Sequence, residues 1–158
     1  MKRTKLRLGI CITLLTLVLA FIWGNSCLPG ETSGAFSAWL KDLLASLFGW
    51  ETSDADPGGH GLLRKAAHFT EFCWLGLCLS WLTYMLCVNK RRAVLIAVAA
   101  GFAAACIDEC IQIFVPGRGP GLMDVGIDSL GVVFGICILS LKPFIKHGRT
   151  KHLEENKS

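Results

Sequence analysis

Apolar residues in this chain fall in four long runs, Leu8 to Ser26, Leu62 to Val88, Ala93 to Phe114 and Leu122 to Leu141. Within the runs hydrophobicity goes all the way round the helix instead of keeping to one stripe, the pattern of a segment surrounded by apolar material. Each run reaches the roughly 20 residues a helix needs to cross a hydrocarbon core. The pattern predicts an all-α integral membrane bundle of four transmembrane helices in one domain covering residues 1–158.

Between the first and second runs, residues 35–50 place Phe36, Trp39, Leu40, Leu43, Leu44, Leu47 and Phe48 at helical spacing, with Ser37, Lys41, Asp42 and Ser46 toward the other side. With charges in its middle, this stretch is too short and polar to span. It is expected to lie in the outer interface, anchored by Trp39 and Trp50. The alternative is a helix packed on the end of the bundle, and the two are compatible. An acidic, glycine-rich linker with His60 follows, and a basic polar tail occupies 142–158.

Composition supports the membrane reading, since 53% of residues are hydrophobic and only 18% charged, giving a mean hydropathy of +0.52. The net charge of +4 matters less than its distribution. Four bases precede the first run, three lie in N-K-R-R between the second and third, and five follow Leu141, together 12 of the 16. Basic loops remain cytoplasmic, so both termini are expected inside, with 27–61 and 115–121 outside. The charge is a topology signal and requires no nucleic acid. The first run also resembles a signal peptide, with Lys2, Arg3, Lys5 and Arg7 ahead of it and Gly24 and Ser26 before Cys27. Its apolar length exceeds the 7–15 residues typical of such segments, which favours a retained anchor. Of eight cysteines, Cys11, Cys73, Cys78, Cys106, Cys110 and Cys137 fall within spans and no C-x-x-C pair occurs. They are read as packing.

The chemistry concentrates in two places. The second span opens with Arg64, Lys65, His68 and Glu71, of which Arg64, His68 and Glu71 share one helical face. The third span ends on Asp108, Glu109 and Gln112, a Gly-Pro turn carries Arg118, and the fourth span begins with Asp124 and Asp128, one turn apart. From the inner span ends, helical rise puts His68 and Glu71 about 30 and 26 Å up, Asp108 about 22 Å, and Asp124 and Asp128 about 26 and 20 Å. All lie at the outer third or rim of a core about 30 Å thick. Ionisable groups at that depth are costly, so opposite signs are expected to pair across helices.

Beside the reading of the cluster as a polar plug that sets helix register, three functional readings stand. His68, Glu71, Asp108, Glu109, Asp124 and Asp128 are acid/base candidates, while Arg64, Lys65, Gln112 and Arg118 are ligand-binding candidates, the bases as phosphate clamps. The carboxylates also suit a divalent cation held mostly by oxygen, although no ligand spacing identifies a metal or cofactor. No P-loop, dinucleotide fingerprint or Ser-His-Asp pattern is present. Membrane lipids or lipid-linked envelope intermediates are the expected partners, and the oligomeric state is left open. A transporter is disfavoured by the small number of spans and the lack of acids in their inner halves.

R-K-A-A-H-F-T-E-F at Arg64 to Phe72, D-E-C-I-Q-I-F-V-P-G-R at Asp108 to Arg118 and D-V-G-I-D-S-L-G at Asp124 to Gly131 resemble the VanZ-like family of bacterial membrane proteins. The resemblance runs from the first span to the end of the fourth. It implies a bacterial cell-membrane setting, the same ten polar positions, and a link to lowered susceptibility to the glycopeptide teicoplanin. Cys110 stands where many relatives carry His, which weakens any proposal needing two imidazoles, and Phe72 stands where Tyr is common, so a phenolic donor there is not required. An outward-facing site that acts on lipid-linked components or amphiphiles is the leading expectation. A non-catalytic binding or interaction module is the alternative.

Overall fold

A computed structural model describes residues 2–32, 46, 59–119 and 121–141. Its elements are α1 (Lys2–Ser26), α2 (Gly59–Leu86), α3 (Lys90–Ile113) and α4 (Leu122–Leu141), with no strand among the described residues. Each is long and apolar enough to cross a membrane, over Thr4–Ser26, Arg64–Leu86, Lys90–Ile113 and Leu122–Ser140. The four expected spans are therefore present. α1 and α2 begin earlier than the apolar runs because the helix continues into flanking polar sequence, where backbone pairing costs no more than in the core. The expected interfacial helix at 35–50 and the tail at 142–158 lie outside the described residues, Ser46 excepted.

Large apolar side chains such as Leu17, Phe21, Leu95, Phe102 and Phe134 point outward and are exposed. The surface is thus as apolar as the interior, which suits hydrocarbon surroundings and defines a multi-pass membrane protein. The interior is small by comparison. Phe72, Leu75 and Leu79 of α2 meet Ile22 of α1, Ala97, Ala104 and Ala105 of α3, and Val132 and Ile136 of α4. Alanines on the buried side of α3 let its backbone come close, as small residues do in membrane bundles.

The tightest packing joins α2 to α4, which share the broadest contact in the bundle. A Cβ added at Gly135 would overlap the Cys73 carbonyl, and one added at Gly131 would overlap the Phe69 carbonyl. The G-x-x-x-G pair therefore lets α4 rest directly on the α2 backbone. α1 is the least buried of the four spans, held at Ile22 and Cys11, whose Sγ lies 3.7 Å from the Cys78 carbonyl oxygen. All eight cysteines are free.

The connection between α2 and α3 is short and capped. Asn89 ends the α2–α3 turn and accepts hydrogen bonds from the Arg91 and Arg92 amides at 2.9 and 3.5 Å, an N-cap for α3. Beyond α3 the chain turns through Gly117, whose φ of +73° suits only glycine. The Gly30 amide donates to the Pro116 carbonyl at 3.1 Å, fastening this loop to the exit of α1. Residues 30–32 are already helical there.

Replacing Gly135 with Leu is expected to lower stability by about 1–3 kcal/mol or more, because the added atoms meet backbone that cannot yield. Gly126, exposed and with open space at its Cβ position, should accept Ala with neutral or slightly positive effect. Thermal unfolding of both variants in detergent checks the contrast.

Candidate functional site

The α2–α4 approach decides where the polar groups go. Asp128 lies one turn before Gly131, and His68 immediately precedes Phe69, whose carbonyl Gly131 covers. The two side chains therefore face each other, with His68 Nδ1 3.6 Å from Asp128 Oδ1. From α3, Asp108 Oδ2 comes within 3.8 Å of the same nitrogen. All three side chains are buried.

Gln112, one turn beyond Asp108, donates from Nε2 to Asp108 Oδ2 at 2.9 Å and to Ser26 Oγ at 3.4 Å. Those contacts orient the carboxylate and connect it to the end of α1. Glu109, beside Asp108, accepts the Gly121 amide on Oε2 at 2.9 Å, while its Oε1 is buried without a partner. Arg64, Lys65, Glu109 and Asp124 line a small cavity against His68, Gln112 and Asp128. Measured by the centres of water-sized spheres its volume is about 10 Å³, the room of a single water molecule or ion.

Glu71 takes a different position from that center. Its Oε1 accepts from Asn25 Nδ2 at 3.1 Å, and the residue also lines an apolar groove between α1 and α2. That groove, about 740 Å³ by the same measure, is lined by Leu14, Leu17, Val18, Phe21 and Ile22 of α1 and by Ala66, Ala67, Thr70 and Trp74 of α2. Arg118 is buried against α1. It donates from Nε to the Leu28 carbonyl at 3.1 Å and from Nη2 to the Asn25 carbonyl at 2.9 Å. Burial lowers its pKa from the ordinary value, with the Arg64 charge adding to the fall and Asp108, Glu71 and Glu109 opposing it. The guanidinium remains a cation, and its Nη1 has no partner.

The three helices thus bring their predicted polar residues to one end of the bundle, but the expected cation–carboxylate pairs do not form. Among the described residues no Lys or Arg lies within 4.0 Å of a carboxylate; the ion-pair contacts are those of His68. Arg118 is drawn away by the Asn25 carbonyl at the end of α1 and the Leu28 carbonyl just beyond it, where the regular run of helical amide donors stops. Lys65 Nζ lies 3.5 Å from Met123 Sδ instead. Asn25 and Ser26 belong to the site although the sequence reading assigned them no part in it. Their signal was polarity at the C-terminal end of the first span, the end that meets the other polar groups.

Such an arrangement combines unpaired carboxylate oxygens, an imidazole and nearby cations in a small space. It is suited to cation binding, proton movement or recognition of a polar headgroup, and it defines a membrane protein with one polar site at an end of its bundle. The VanZ/LLP1 family pattern matches residues 10–143. The chain belongs to that family. Comparison with curated proteins gave no match, nor did comparison with solved structures.

Arg118→Ala removes two charge-assisted, part-buried hydrogen bonds to the Asn25 and Leu28 carbonyls and is expected to cost about 1.5–3 kcal/mol. Arg118→Lys should recover only part, since an ammonium lacks the planar fork that reaches both carbonyls. Thermal unfolding, with limited proteolysis of the loop after α3, measures the difference.

Proposed function

We propose that this protein presents an outward-facing polar site at the outer leaflet of a bacterial cell membrane, where it binds or acts on lipid-linked envelope components or other amphiphiles. One observation carries the reading. A sideways-opening apolar groove between α1 and α2 includes Glu71 in its lining, one turn from His68 and the buried carboxylates. A tail in the groove would set its headgroup beside the charged cluster. Arg64 and Lys65, half-buried at the small cavity, suit a phosphate or other anionic headgroup. His68, Asp108 and Glu109 are the acid/base candidates, with Asp124 and Asp128 adjoining. Lowered susceptibility to teicoplanin, a glycopeptide with a lipid tail, follows naturally from such a site.

A second reading, a non-catalytic binding or interaction module, is favoured by the hydrogen bonds from Gln112 to Asp108 and Ser26 and from Arg118 to the end of α1. These hold helices together and require no reaction. Asp108→Asn separates the two, because the amide preserves shape but removes the charge. Envelope lipids and teicoplanin susceptibility would be compared in cells with the wild-type protein, without it, and with Asp108→Asn, His68→Ala or Glu109→Gln at matched membrane levels. The site reading expects each variant to match cells lacking the protein. Full effect in all three would sink it, and graded losses with Asp108→Asn tolerated would favour the module.

The orientation proposed, with both termini cytoplasmic, rests on the basic residues at the inner ends. In single-cysteine variants, an impermeant maleimide should label Cys27 in intact cells. It should label Val88→Cys, a highly exposed position between α2 and α3, only after permeabilisation. The reverse pattern would invert the protein and move the site to the inner leaflet.

A further inference from the structure

Three side chains from three helices face one another at the centre of the site without bonding. Asp108 and Asp128 are 0% exposed and His68 is 6% exposed. The distances of 3.8 and 3.6 Å from His68 Nδ1 to the two carboxylates exceed hydrogen-bond reach. His68 Nδ1, Asp108 Oδ1 and both oxygens of Asp128 are buried with no hydrogen-bond partner. One ligand atom from each of the three residues falls within 4.8 Å of the other two.

Those separations have a simple interpretation. Nitrogen and oxygen ligands about 2.0–2.2 Å from a tetrahedral ion sit roughly 3.3–3.6 Å apart, longer than a usual hydrogen bond. Charge gives a second argument. Two buried carboxylates with no Lys or Arg of the described residues within 4.0 Å would each carry a desolvation cost of several kcal/mol that no opposite fixed charge offsets. One proton on His68 balances only one of them, whereas a divalent ion balances both.

We propose that His68 Nδ1, Asp108 and Asp128 form a binding site for one divalent transition-metal ion of the Zn²⁺ or Mn²⁺ kind. One imidazole with two carboxylates suits these ions, while Ca²⁺ demands six to eight oxygens. The hydrogen bond from Gln112 to Asp108 Oδ2 orients that ligand from behind, as outer groups do around metal-binding carboxylates. Three protein ligands leave a coordination position open, and the adjoining cavity has room for the one water that would fill it. This assignment does not depend on the amphiphile reading, because it concerns what the site holds and not what it acts on.

The test uses the full chain, purified in detergent, stripped with a chelator, incubated with Zn²⁺ or Mn²⁺ alone and desalted. Elemental analysis is expected to find about one ion per wild-type chain and at least about tenfold less in Asp128→Asn and His68→Ala. Glu31→Gln, an exposed position outside the site, should retain the wild-type amount. Because a variant can fail to fold, X-ray absorption at the zinc edge of the wild-type protein supplies an independent measurement. It should show nitrogen and oxygen ligands only, at about 2.0–2.2 Å. Absence of bound ion from folded wild-type protein, undiminished binding in both site variants, or sulfur ligation at about 2.3 Å from the cysteines would each overturn the assignment.

Discussion

The close approach of α4 to α2 is the constraint on which the remaining structure depends. Gly131 and Gly135 rest on the Phe69 and Cys73 carbonyls, fixing both the separation of the two helices and their rotation about one another. The residue one turn outward from Gly131 on α4 is Asp128, and the one beside Phe69 on α2 is His68. Their juxtaposition follows from the glycine contact without any attraction between them. Small residues in membrane helices are usually discussed as stabilising association. Here the same packing also specifies which polar groups meet, so a change at either glycine would shift the site as well as loosen the fold.

Electrostatics then argues for a role beyond that of a simple structural plug. A plug minimises its energy by pairing every charge, and the bases needed for that are close at hand. Arg118 is instead used to finish the α1 helix, where its fork meets the Asn25 and Leu28 carbonyls. Lys65 and Arg64 sit at the cavity without a carboxylate in ion-pair contact. The result is a set of buried acceptors left under-satisfied, with Asp128 the extreme case. Stability alone gives no reason to retain such groups. A ligand, a proton or an ion that completes them does.

Much of the architecture was legible in the chain. Long runs of apolar residues with no preferred face have one stable setting, and helical rise from their ends places His68, Asp108 and Asp128 at similar depth. Motif resemblance named the family that the match over residues 10–143 then showed. The rotation of each helix was less accessible, because a span that is apolar all round carries no moment to orient it. That is why Glu71, on the same face as His68 by spacing, turns out to serve the α1 side through Asn25. The contribution of Ser26 was hidden for a related reason: a small residue before Cys27 also fits a processing boundary, and its contact with Gln112 is a matter of tertiary packing. Cation–carboxylate pairing failed as an expectation because it ignored the carbonyls at and just beyond a helix end, which compete for the same guanidinium.

The groove between α1 and α2 has one more implication. It opens to the side, between two helices whose outward surfaces are apolar, so whatever enters it arrives from the leaflet and not from water. The search is then two-dimensional, and occupancy follows the mole fraction of the ligand among its neighbouring lipids. An amphiphile scarce in solution but enriched in the membrane would fill the groove readily, whereas one abundant in solution but poorly partitioned would not. Lipid composition and leaflet crowding thereby enter the binding equilibrium directly, as variables that bulk concentration does not capture.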